Sequence, residues 1–460
     1  MFFEFVAEVA GPASVDRYRK IIHGRYRHWY EATPEERLRR RLRRPPWWGI
    51  PTRVIDRAAS MVPALFRERM DDWGIDFSIV FPSNGFTLGR DAPDPDFANG
   101  LIRAYNTMAA EMFRPHADRI VPVGVVSLYE PKTAIEQLEH ARSVGLKLVT
   151  MGGSLPRTIM EDADWQPDSS KRRVYIDGLG LDSPYDYDPV WKKFMEVKMP
   201  VLTHVGSMGW PDRTSPNNFV SNHLGHFAQS HHLFARSLVL GGVTERFPNL
   251  RFAFLEGGVG WACNLYSDLI GHWEKRNKKF LDTTLKPTIL DRVELRRLME
   301  KYAKGHKRLE NKIDEIIRSG LDIEYDMPVE ELVARDLDSD DFSHVKAESK
   351  ADIERLFARN FYFGCEADDP MTAVAFNKKM GLRLKPILGS DISHFDVVDA
   401  TEVIEEAWEM VEHGLIDEQD FREFTFTNAA RLCSSMNSAF FDRTGVADAV
   451  DQEISGLKAA

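Results

Sequence analysis

Cysteine is scarce in this sequence, and no apolar run is long enough to cross a membrane. The 460 residues include three cysteines, Cys263, Cys365 and Cys433, which are odd in number and far apart. This spacing gives neither a disulfide framework nor a Cys-x-x-Cys metal site. Apolar runs stay well below the ~18 residues of a membrane span. The N-terminus carries Glu4 and Glu8 and no basic segment, unlike a signal peptide. These absences predict a cytoplasmic protein with reduced thiols and no membrane partner.

An excess of positive charge is also missing. The chain has 60 lysines and arginines against 71 acidic residues, a net charge of -11. This balance argues against nucleic acid as the main partner. A hydrophobic fraction of 43% and a charged fraction of 28% exclude disordered and fibrous classes. The sequence contains no HExxH, GxSxG, Walker A or EF-hand motif, so its chemistry has to be sought elsewhere.

Seven short apolar runs, separated by helical segments, are the strongest pattern present. We interpret them as strands at 76–82, 120–128, 146–151, 200–206, 250–258, 360–365 and 385–391. Several lack polar alternation, which is typical of parallel strands covered by helices on both faces. The alternation predicts an α/β fold, and its order favours a (β/α)8 barrel of the TIM type. The remaining strand would precede residue 76, where only 1–10 is a candidate, and that segment also fits a helical stripe.

Four segments follow from this pattern. We expect a helical segment rich in Arg and Trp at 1–73, and a first part of the barrel at 74–273. A helical insertion at 274–358 would separate strands six and seven, counting the missing strand as the first, and 359–460 would complete the barrel. Within the first segment, Thr33 begins a capping box that starts an arginine-rich helix. That helix is expected to run to Pro45 as a solvated face, with an anion site as the less favoured alternative.

Polar side chains stand where three of the buried runs end. His204 ends one run, Glu256 the next, and Asp391 the last, with His394 three residues beyond it. Active sites of (β/α)8 barrels are built at the C-terminal ends of the strands. A single such residue would be a polar strand cap, but three in register favour a shared site. Imidazole and carboxylate donors suit Zn²⁺ or Mn²⁺, so we predict one divalent metal, with Zn²⁺ preferred.

A histidine cluster follows His204. Ser221 is interpreted as the N-cap of the next helix, which places His223 and His226 in its first turn near the barrel mouth. These two histidines are candidates to assist the metal or a substrate carboxylate. His231 and His232 lie further along the helix and are interpreted as packing or surface residues.

The order of several segments resembles the amidohydrolase-related metal-dependent enzymes, a family that includes aminocarboxymuconate-semialdehyde decarboxylase and γ-resorcylate decarboxylase. The similar segments are PVLTHVG, GGVTERFPNLRFAFLEGGVGW, NFYFGCEADDP, ILGSDISHFD and TNAARL, and the similarity covers roughly 70–440. The resemblance implies a (β/α)8 barrel with one divalent metal. It also implies that His204 is a metal ligand, that Asp391 is a ligand or metal-bridging acid/base, and that His394 lies nearby.

Two departures from the family pattern affect the expected activity. Family members carry His-x-His or Glu-x-His on strand one, whereas the first histidines here, His23 and His28, are five residues apart. We therefore expect a late start, with ~10–20 preceding residues forming that strand, and weak metal binding with little activity for the chain as given. The family's acid/base histidine after strand six is replaced by Glu256, which can do the same work if burial raises its pKa.

The leading hypothesis is a metal-dependent hydrolase or non-oxidative decarboxylase. It would act on a small, aromatic or carboxylated substrate and form a homodimer. In a hydrolase, Asp391 would accept the proton of the attacking water. In a decarboxylase, Glu256 or His394 would protonate the carbon that loses CO₂. The alternative is a catalytically impaired or non-enzymatic barrel that acts as a binding or scaffold protein, because the strand-one ligands are absent.

Overall fold

The chain divides into two units. One comprises Met1–Leu265 and Glu354–Ala460, and the other comprises Tyr266–Ile353. The fold is taken from a computed structural model, which describes residues 1–23, 26–45, 53–83, 85–88, 94–159, 174–205, 210, 214–286, 289–319, 340–381 and 383–459.

One parallel sheet organises the first unit. The strands are β1 Ser78–Val80, β2 Ile120–Val125, β3 Leu148–Met151, β4 Leu155–Thr158, β5 Val174–Asp177, β6 Val201–Thr203, β7 Phe252–Phe254, β8 Phe361–Cys365 and β9 Pro386–Leu388. Seven of them pair in parallel in the order β1-β2-β3-β6-β7-β8-β9. Each of the seven predicted runs contains one of these strands, so that prediction is confirmed. The antiparallel hairpin of β4 and β5 was not predicted.

The sheet curls around a common core. Ile79 of β1 and Ile387 of β9 pack against the same cluster, whose members include Leu148, Leu202 and Tyr362. In a flat sheet the first and seventh strands would lie roughly 29 Å apart at a spacing of ~4.8 Å. Sharing one core requires the sheet to curl, as in a partial (β/α)8 barrel, and the predicted fold class is confirmed. Among the described residues, no strand pairs with the outer edge of β1 or of β9.

Helices occupy most of the remaining chain. Up to the end of β7 they are α1 Phe2–Ala10, α2 Pro12–Ile22, α3 Arg27–Glu31, α4 Pro34–Arg40, α5 Val54–Ala59, α6 Pro63–Arg69, α7 Pro95–Phe113, α8 Pro131–Ser143, α9 Asp188–Val197, α10 Phe219–His223, α11 His226–Leu240 and α12 Val243–Arg246. Those that follow are α13 Gly260–Arg276, α14 Lys278–Phe280, α15 Arg292–Tyr302, α16 Lys307–Glu310, α17 Ile313–Ser319, α18 Lys350–Ala358, α19 Val403–Glu412, α20 Glu418–Arg422, α21 Asn428–Met436 and α22 Ala447–Ala459. In the part of the chain that is described, no helix combines the length and apolarity that a membrane span needs.

The N-terminal segment is a helix rather than a strand. Val6 of α1 is fully buried, and it packs with Leu101 and Ile102 of α7, the helix that follows β1. Apolar residues at helical spacing give α1 one buried stripe, which explains why the segment folds onto a neighbouring helix.

The arginine-rich helix begins as predicted but ends early. The Thr33 side chain accepts a hydrogen bond from the Glu36 amide, and the Glu36 carboxylate accepts one from the Thr33 amide. Helix α4 ends at Arg40, since Arg41 adopts a left-handed conformation with φ of 50°. The prediction that the helix continues to Pro45 is wrong, because this left-handed cap stops it before the proline can.

Two arginines of this segment enclose a buried tryptophan. The guanidinium of Arg37 lies 3.8 Å from the Trp29 ring centroid and that of Arg44 lies 5.6 Å from it. The Trp29 indole donates a hydrogen bond to the Pro216 carbonyl, and Arg44 donates one to the Asn217 carbonyl. These arginines therefore attach the segment to the chain that precedes α10, through cation–π contacts and backbone hydrogen bonds.

The outer edge of β9 is covered by side-chain and helix contacts. The buried Asn428 side chain, at the start of α21, donates a hydrogen bond of 2.9 Å to the Pro386 carbonyl. Further along, Phe441 packs on Phe77, next to β1, with ring centroids 5.4 Å apart. The C-terminal segment thus contacts β9 and a residue next to β1, the two edge strands of the sheet. It buries surface at these edges that a further strand would otherwise cover.

The second unit is helical. Asp291 caps α15 by accepting hydrogen bonds from the Val293 and Glu294 amides, and Arg296 of α15 pairs with Asp314 of α17. The helical insertion between β7 and β8 is confirmed for the described residues of this unit. The exact limits 274 and 358 stay a prediction.

Candidate active site

The candidate side chains follow three of the parallel strands. His204 comes directly after β6, Glu256 follows β7 by two residues, and Asp391 follows β9 by three. Because the strands are parallel, their C-terminal ends lie at one end of the sheet. The apolar runs fold as strands because both faces are buried. The polar side chains of His204, Glu256 and Asp391, which follow these strands, therefore lie at the barrel mouth.

Three of the predicted residues meet closely enough to share one ion. Glu256, Asp391 and His394 each offer a donor atom, and these atoms lie within 4.8 Å of one another. The sequence predicted His204 and Asp391 as the metal ligands, with Glu256 and His394 in catalytic roles. The structure brings His204 to this group through Glu256, since the His204 Nε2 and Glu256 Oε2 atoms are 2.6 Å apart.

The orientation of the His204 ring is fixed on two sides. Its Nδ1–H donates to the Val205 carbonyl at 2.9 Å, which leaves Nε2 facing Glu256. The contact of Nε2 with a carboxylate oxygen requires a proton on one of the two atoms. The ring also stacks on Phe86 with centroids 4.2 Å apart. This is the arrangement of a ligand histidine whose second nitrogen is held by a backbone carbonyl.

Glu256 is held in its ionised form. Burial by itself raises the pKa of this carboxyl, but the charge and hydrogen bond of His204 outweigh burial, and the net effect lowers it. The histidines His394 and His223 act in the same direction. An ionised carboxylate at this position is suited to binding a cation and does not supply a proton.

Asp391 and His394 form a second hydrogen-bonded pair. His394 Nδ1 lies 2.6 Å from Asp391 Oδ1, and His394 Nε2 lies 3.1 Å from the Ser83 hydroxyl. Burial raises the pKa of Asp391 to about 8, although the His394 hydrogen bond opposes the rise. Burial would lower the pKa of His394, but its hydrogen bond to Asp391 and the charges of Asp391 and Glu256 raise it to about 9. The pair therefore retains a proton near neutral pH.

One oxygen of Asp391 is buried and accepts no hydrogen bond from any donor in the described part of the chain. This atom is Oδ2, and a further acidic side chain, Asp396, acts on Asp391 and raises its pKa. A buried carboxylate oxygen without a donor costs free energy unless a proton or a cation compensates it. Together with Glu256 and His204, this oxygen fits the oxygen and nitrogen donor set of a divalent cation.

Both carboxylates stand on strained backbone. Glu256 has φ of 56°, Asp391 has φ of 46°, and Ser393 has φ of 88°. Left-handed conformations are uncommon for residues other than glycine and cost of order 1–3 kcal/mol each. Here they turn the chain sharply at the strand ends and bring the two carboxylates toward each other.

Aromatic rings border the site, and most of them could not be identified from the sequence. Besides Phe86, the rings of Phe81 and Phe227 lie 6.4 and 5.4 Å from the His204 ring. Phe395 follows His394 and contacts the His223 ring at 5.9 Å. Ser83 was also missed, because a serine in a loop has no distinguishing pattern. These side chains give one side of the site an apolar, planar surface.

The two candidate histidines of the following helices occupy different positions. Asn218, not Ser221, caps α10, because its side chain accepts a hydrogen bond from the Ser221 amide. The helix then breaks at Gly225, which is left-handed, so the predicted single helix start at Ser221 is wrong. His223 borders the site and acts on Glu256, whereas His226 is buried with its ring 5.3 Å from that of Trp210. Neither belongs to the three-residue donor group, and their assisting roles stay predictions.

Comparison with known proteins identifies one family. A family model described as Amidohydrolase matches residues 68–303, just over half of the chain. Among curated proteins, none matches the chain.

Several solved structures are similar to the chain at low identity. An amidohydrolase from Mycobacterium avium subsp. paratuberculosis K-10 is 18% identical, with a TM-score of 0.46, over 83% of this chain and 77% of that one. A 2,6-dihydroxybenzoate decarboxylase from Rhizobium is 16% identical, with a TM-score of 0.45, over 80% and 86%. A dihydroxybenzoic acid decarboxylase from Polaromonas sp. JS666, with bound manganese and 2-nitroresorcinol, is 15% identical, with a TM-score of 0.47, over 82% and 86%.

Proposed function

The chain belongs to the amidohydrolase family and is a metal-dependent enzyme of that family, and we propose that it removes CO₂ from a small aromatic carboxylate without oxidation. The observation that carries the proposal is the meeting of Glu256, Asp391 and His394 at the strand ends. It combines two ionisable oxygen donors with an imidazole that holds a proton. A bound cation can hold and polarise such a substrate, and the carbon that loses CO₂ needs a proton source.

The cation would be held by the carboxylates of Glu256 and Asp391, and by Nε2 of His204 once the cation displaces the proton that His204 shares with Glu256. We assign His394 to proton transfer rather than to the cation, because its Nδ1 already bonds Asp391 and its Nε2 lies beside the Ser83 hydroxyl. When bound, a divalent cation polarises substrate oxygens and lowers the pKa of bound water. We keep Zn²⁺ as the first prediction for its identity. Mn²⁺ is the alternative, because two carboxylate donors suit it as well.

His394 is the proposed proton donor. In decarboxylation the bond between the ring carbon and the carboxylate breaks, CO₂ leaves, and the electron pair stays on the ring carbon. A proton from His394 then forms the new carbon–hydrogen bond. Asp391 holds the imidazole at Nδ1, so Nε2 is the nitrogen that donates; its proton, shared with the exposed Ser83 hydroxyl when no substrate is present, would pass to the substrate in place of Ser83. Glu256 is less suited to this step, because His204 keeps it ionised.

The aromatic surface supports a planar substrate. Phe86 already stacks on His204 at 4.2 Å, and Phe227 lies edge-on to the same ring. A substrate ring placed here gains contact with apolar faces, while its carboxylate is directed toward the cation and the His394 proton. We also retain the prediction of a homodimer, which size-exclusion chromatography with light scattering tests directly.

The experiment is decarboxylation in D₂O. The chain is loaded with Mn²⁺ or Zn²⁺ and incubated with 2,6-dihydroxybenzoate and other hydroxybenzoates, and the products are analysed by NMR. We expect CO₂ release and one deuterium on the carbon that carried the carboxylate. His394→Gln should slow this reaction by ~10²-fold or more while it still binds the metal.

Hydrolysis is the second candidate, and the raised pKa of Asp391 is the observation that favours it. A carboxylate with a pKa near neutral is a better acceptor for the proton of an attacking water. The decarboxylase proposal is wrong if the hydroxybenzoates keep their carboxylates while aromatic esters, lactones or amides of similar size are hydrolysed.

A further inference from the structure

His231 lies inside the protein between the two strand ends that carry His204 and Glu256. Its side chain is fully buried on α11. The ring Nδ1 lies 3.2 Å from the Thr203 hydroxyl, and Nε2 lies 2.6 Å from the Leu255 carbonyl. Thr203 precedes His204 directly, and Leu255 precedes Glu256 directly. His231, interpreted from the sequence as a packing or surface residue, thus contacts the residues that directly precede His204 and Glu256.

The two hydrogen bonds define one protonation state. The Leu255 carbonyl can only accept, so Nε2 carries the proton, and Nδ1 accepts from the Thr203 hydroxyl. Burial lowers the pKa of His231 to about 3, which agrees with a neutral ring. A neutral imidazole in this tautomer uses both nitrogens, and neither is left to take part in proton transfer.

These bonds close a ring between β6 and β7. The Leu255 amide donates a backbone hydrogen bond of 3.1 Å to the Thr203 carbonyl, and the imidazole joins the Thr203 side chain to the Leu255 carbonyl. The next residue on one side is His204. On the other side is Glu256 in its left-handed conformation, and the two side chains meet at 2.6 Å. This cycle of hydrogen bonds therefore holds the backbone on which the contact between His204 and Glu256 depends.

Packing leaves the imidazole little freedom to turn. Phe254 and Trp261 lie 5.7 and 6.2 Å from its ring centroid. A Cβ atom added to Gly257 would lie 2.9 Å from the His231 Cδ2 atom. The turn after Glu256 thus approaches the imidazole so closely that only glycine fits there.

We propose that His231 is a positioning residue that holds the strained Glu256 turn so that Glu256 faces His204. It acts through Thr203 and Leu255 and does not itself face the site. The inference goes beyond the proposed function, and only its metal-binding readout rests on that function.

The test uses the full chain with three substitutions. His231→Leu removes both hydrogen bonds, whereas Thr203→Val keeps the shape of the residue and removes only one. Phe234→Leu is the matched control, because Phe234 is fully buried three residues further on α11 and packs on the rings of Trp191, Phe252 and Phe254 in the core. Two experiments are done: calorimetry gives the affinity for Mn²⁺ alone, and metal-free crystals give the Glu256 φ angle and the His204–Glu256 distance.

We expect His231→Leu to weaken Mn²⁺ binding by ~10–100-fold, as loss of a group that orients metal ligands does. Thr203→Val should show a smaller loss and Phe234→Leu little change, although Phe234→Leu also lowers the melting temperature. In crystals of Thr203→Val or His231→Leu, the Glu256 turn should relax and the 2.6 Å contact lengthen. If His231→Leu does not fold, Thr203→Val decides alone.

Two results would overturn the inference. One is an unchanged Glu256 turn and His204 contact in the variant crystals. The other is an equal loss of Mn²⁺ affinity in Phe234→Leu, which would assign the effect to general destabilisation. If the unmodified chain binds no Mn²⁺, the proposed function fails, and the crystals still decide the role of His231.

Discussion

At the scale of single residues, the free oxygen of Asp391 is the most informative atom of the site. It is Oδ2, which is buried and accepts no hydrogen bond from the described residues. The other oxygen, Oδ1, is compensated by its contact with His394. A cation that binds here replaces a missing partner and at the same time offsets the repulsion from Glu256.

Replacing Asp391 by Asn should weaken divalent-metal binding by at least ~10-fold, because the site loses one of its two anionic donors. Calorimetric titration with Mn²⁺ and with Zn²⁺ measures the change. Asp420→Asn is the control, since Asp420 is buried and paired with Arg383 away from the strand ends. Equal affinities for the Asp391→Asn variant and the unmodified chain would remove Asp391 from the metal site.

The Asp391–His394 pair also predicts how the stability of the metal-free protein changes with pH. Both pKa values are raised, from 3.8 to about 8 for Asp391 and from 6.5 to about 9 for His394. A group whose pKa is raised on folding stabilises the folded state below its unfolded pKa, and this contribution disappears as the pH passes its folded pKa. Stability from this pair should therefore fall as the pH rises from about 4 to about 9, most steeply between about 6.5 and 8, where both groups lose their contribution.

Urea unfolding of the chelator-treated protein at pH 7, 8 and 9 measures this trend. Asp391→Asn serves as the reference, because an amide does not titrate, and its stability should fall less over the same range. Added metal should reverse the trend, since ions bind more tightly as protons leave the site. Parallel pH profiles for the two proteins would contradict the assignment.

At the scale of elements, the seven parallel strands could be predicted from the sequence, whereas the antiparallel hairpin of β4 and β5 could not. Continuous apolar runs such as 146–151 and 200–206 are strong signals, because both faces of a central strand are buried. The β4–β5 hairpin was not predicted, because β4 contains Pro156 and Arg157, which weaken the apolar pattern of a strand. Arg157 is buried there in an ion pair with Asp177, a partner that only the fold provides.

The edge of β9 gives a prediction for one element contact. Asn428→Ala removes the side-chain donor to the Pro386 carbonyl and leaves that buried group unpaired. We expect a loss of about 1–3 kcal/mol in the free energy of unfolding, measured by urea titration. Ser435→Ala, an exposed change on the same helix, should stay within about 0.5 kcal/mol. If both variants are equally stable, the Asn428 contact does not protect the strand edge.

At the scale of the whole molecule, the location of the site followed from topology alone. Once the strands are parallel, polar residues just after β6, β7 and β9 must lie at one end, which is why His204, Glu256 and Asp391 could be named from the sequence. The division of roles could not be predicted. Whether Glu256 is ionised depends on its contact with His204, and the importance of His231 depends on two hydrogen bonds across the fold.

The last prediction concerns metal binding by the entire chain. Glu256, Asp391 and His204 provide three donors from three strands, and the family's His-x-His pair is missing from the sequence. Binding should therefore be weak, with one ion per chain and a dissociation constant of about 1 µM or above, equivalent to about 8 kcal/mol or less. At a hundredfold excess over that constant, the ion should stabilise the fold by about 2.7 kcal/mol, because it binds the folded state alone.

A thermal-shift titration with Mn²⁺ and Zn²⁺ measures this stabilisation, and chelator should reverse it. Asp391→Asn is the control, and its stabilisation should be smaller over the same range, about 1.4 kcal/mol or less if its affinity is at least tenfold weaker. Nanomolar binding of one equivalent would contradict the prediction. It would mean that a fourth donor completes the site, and His223 would be the first histidine to replace, since it already lies close enough to Glu256 to lower that carboxyl's pKa.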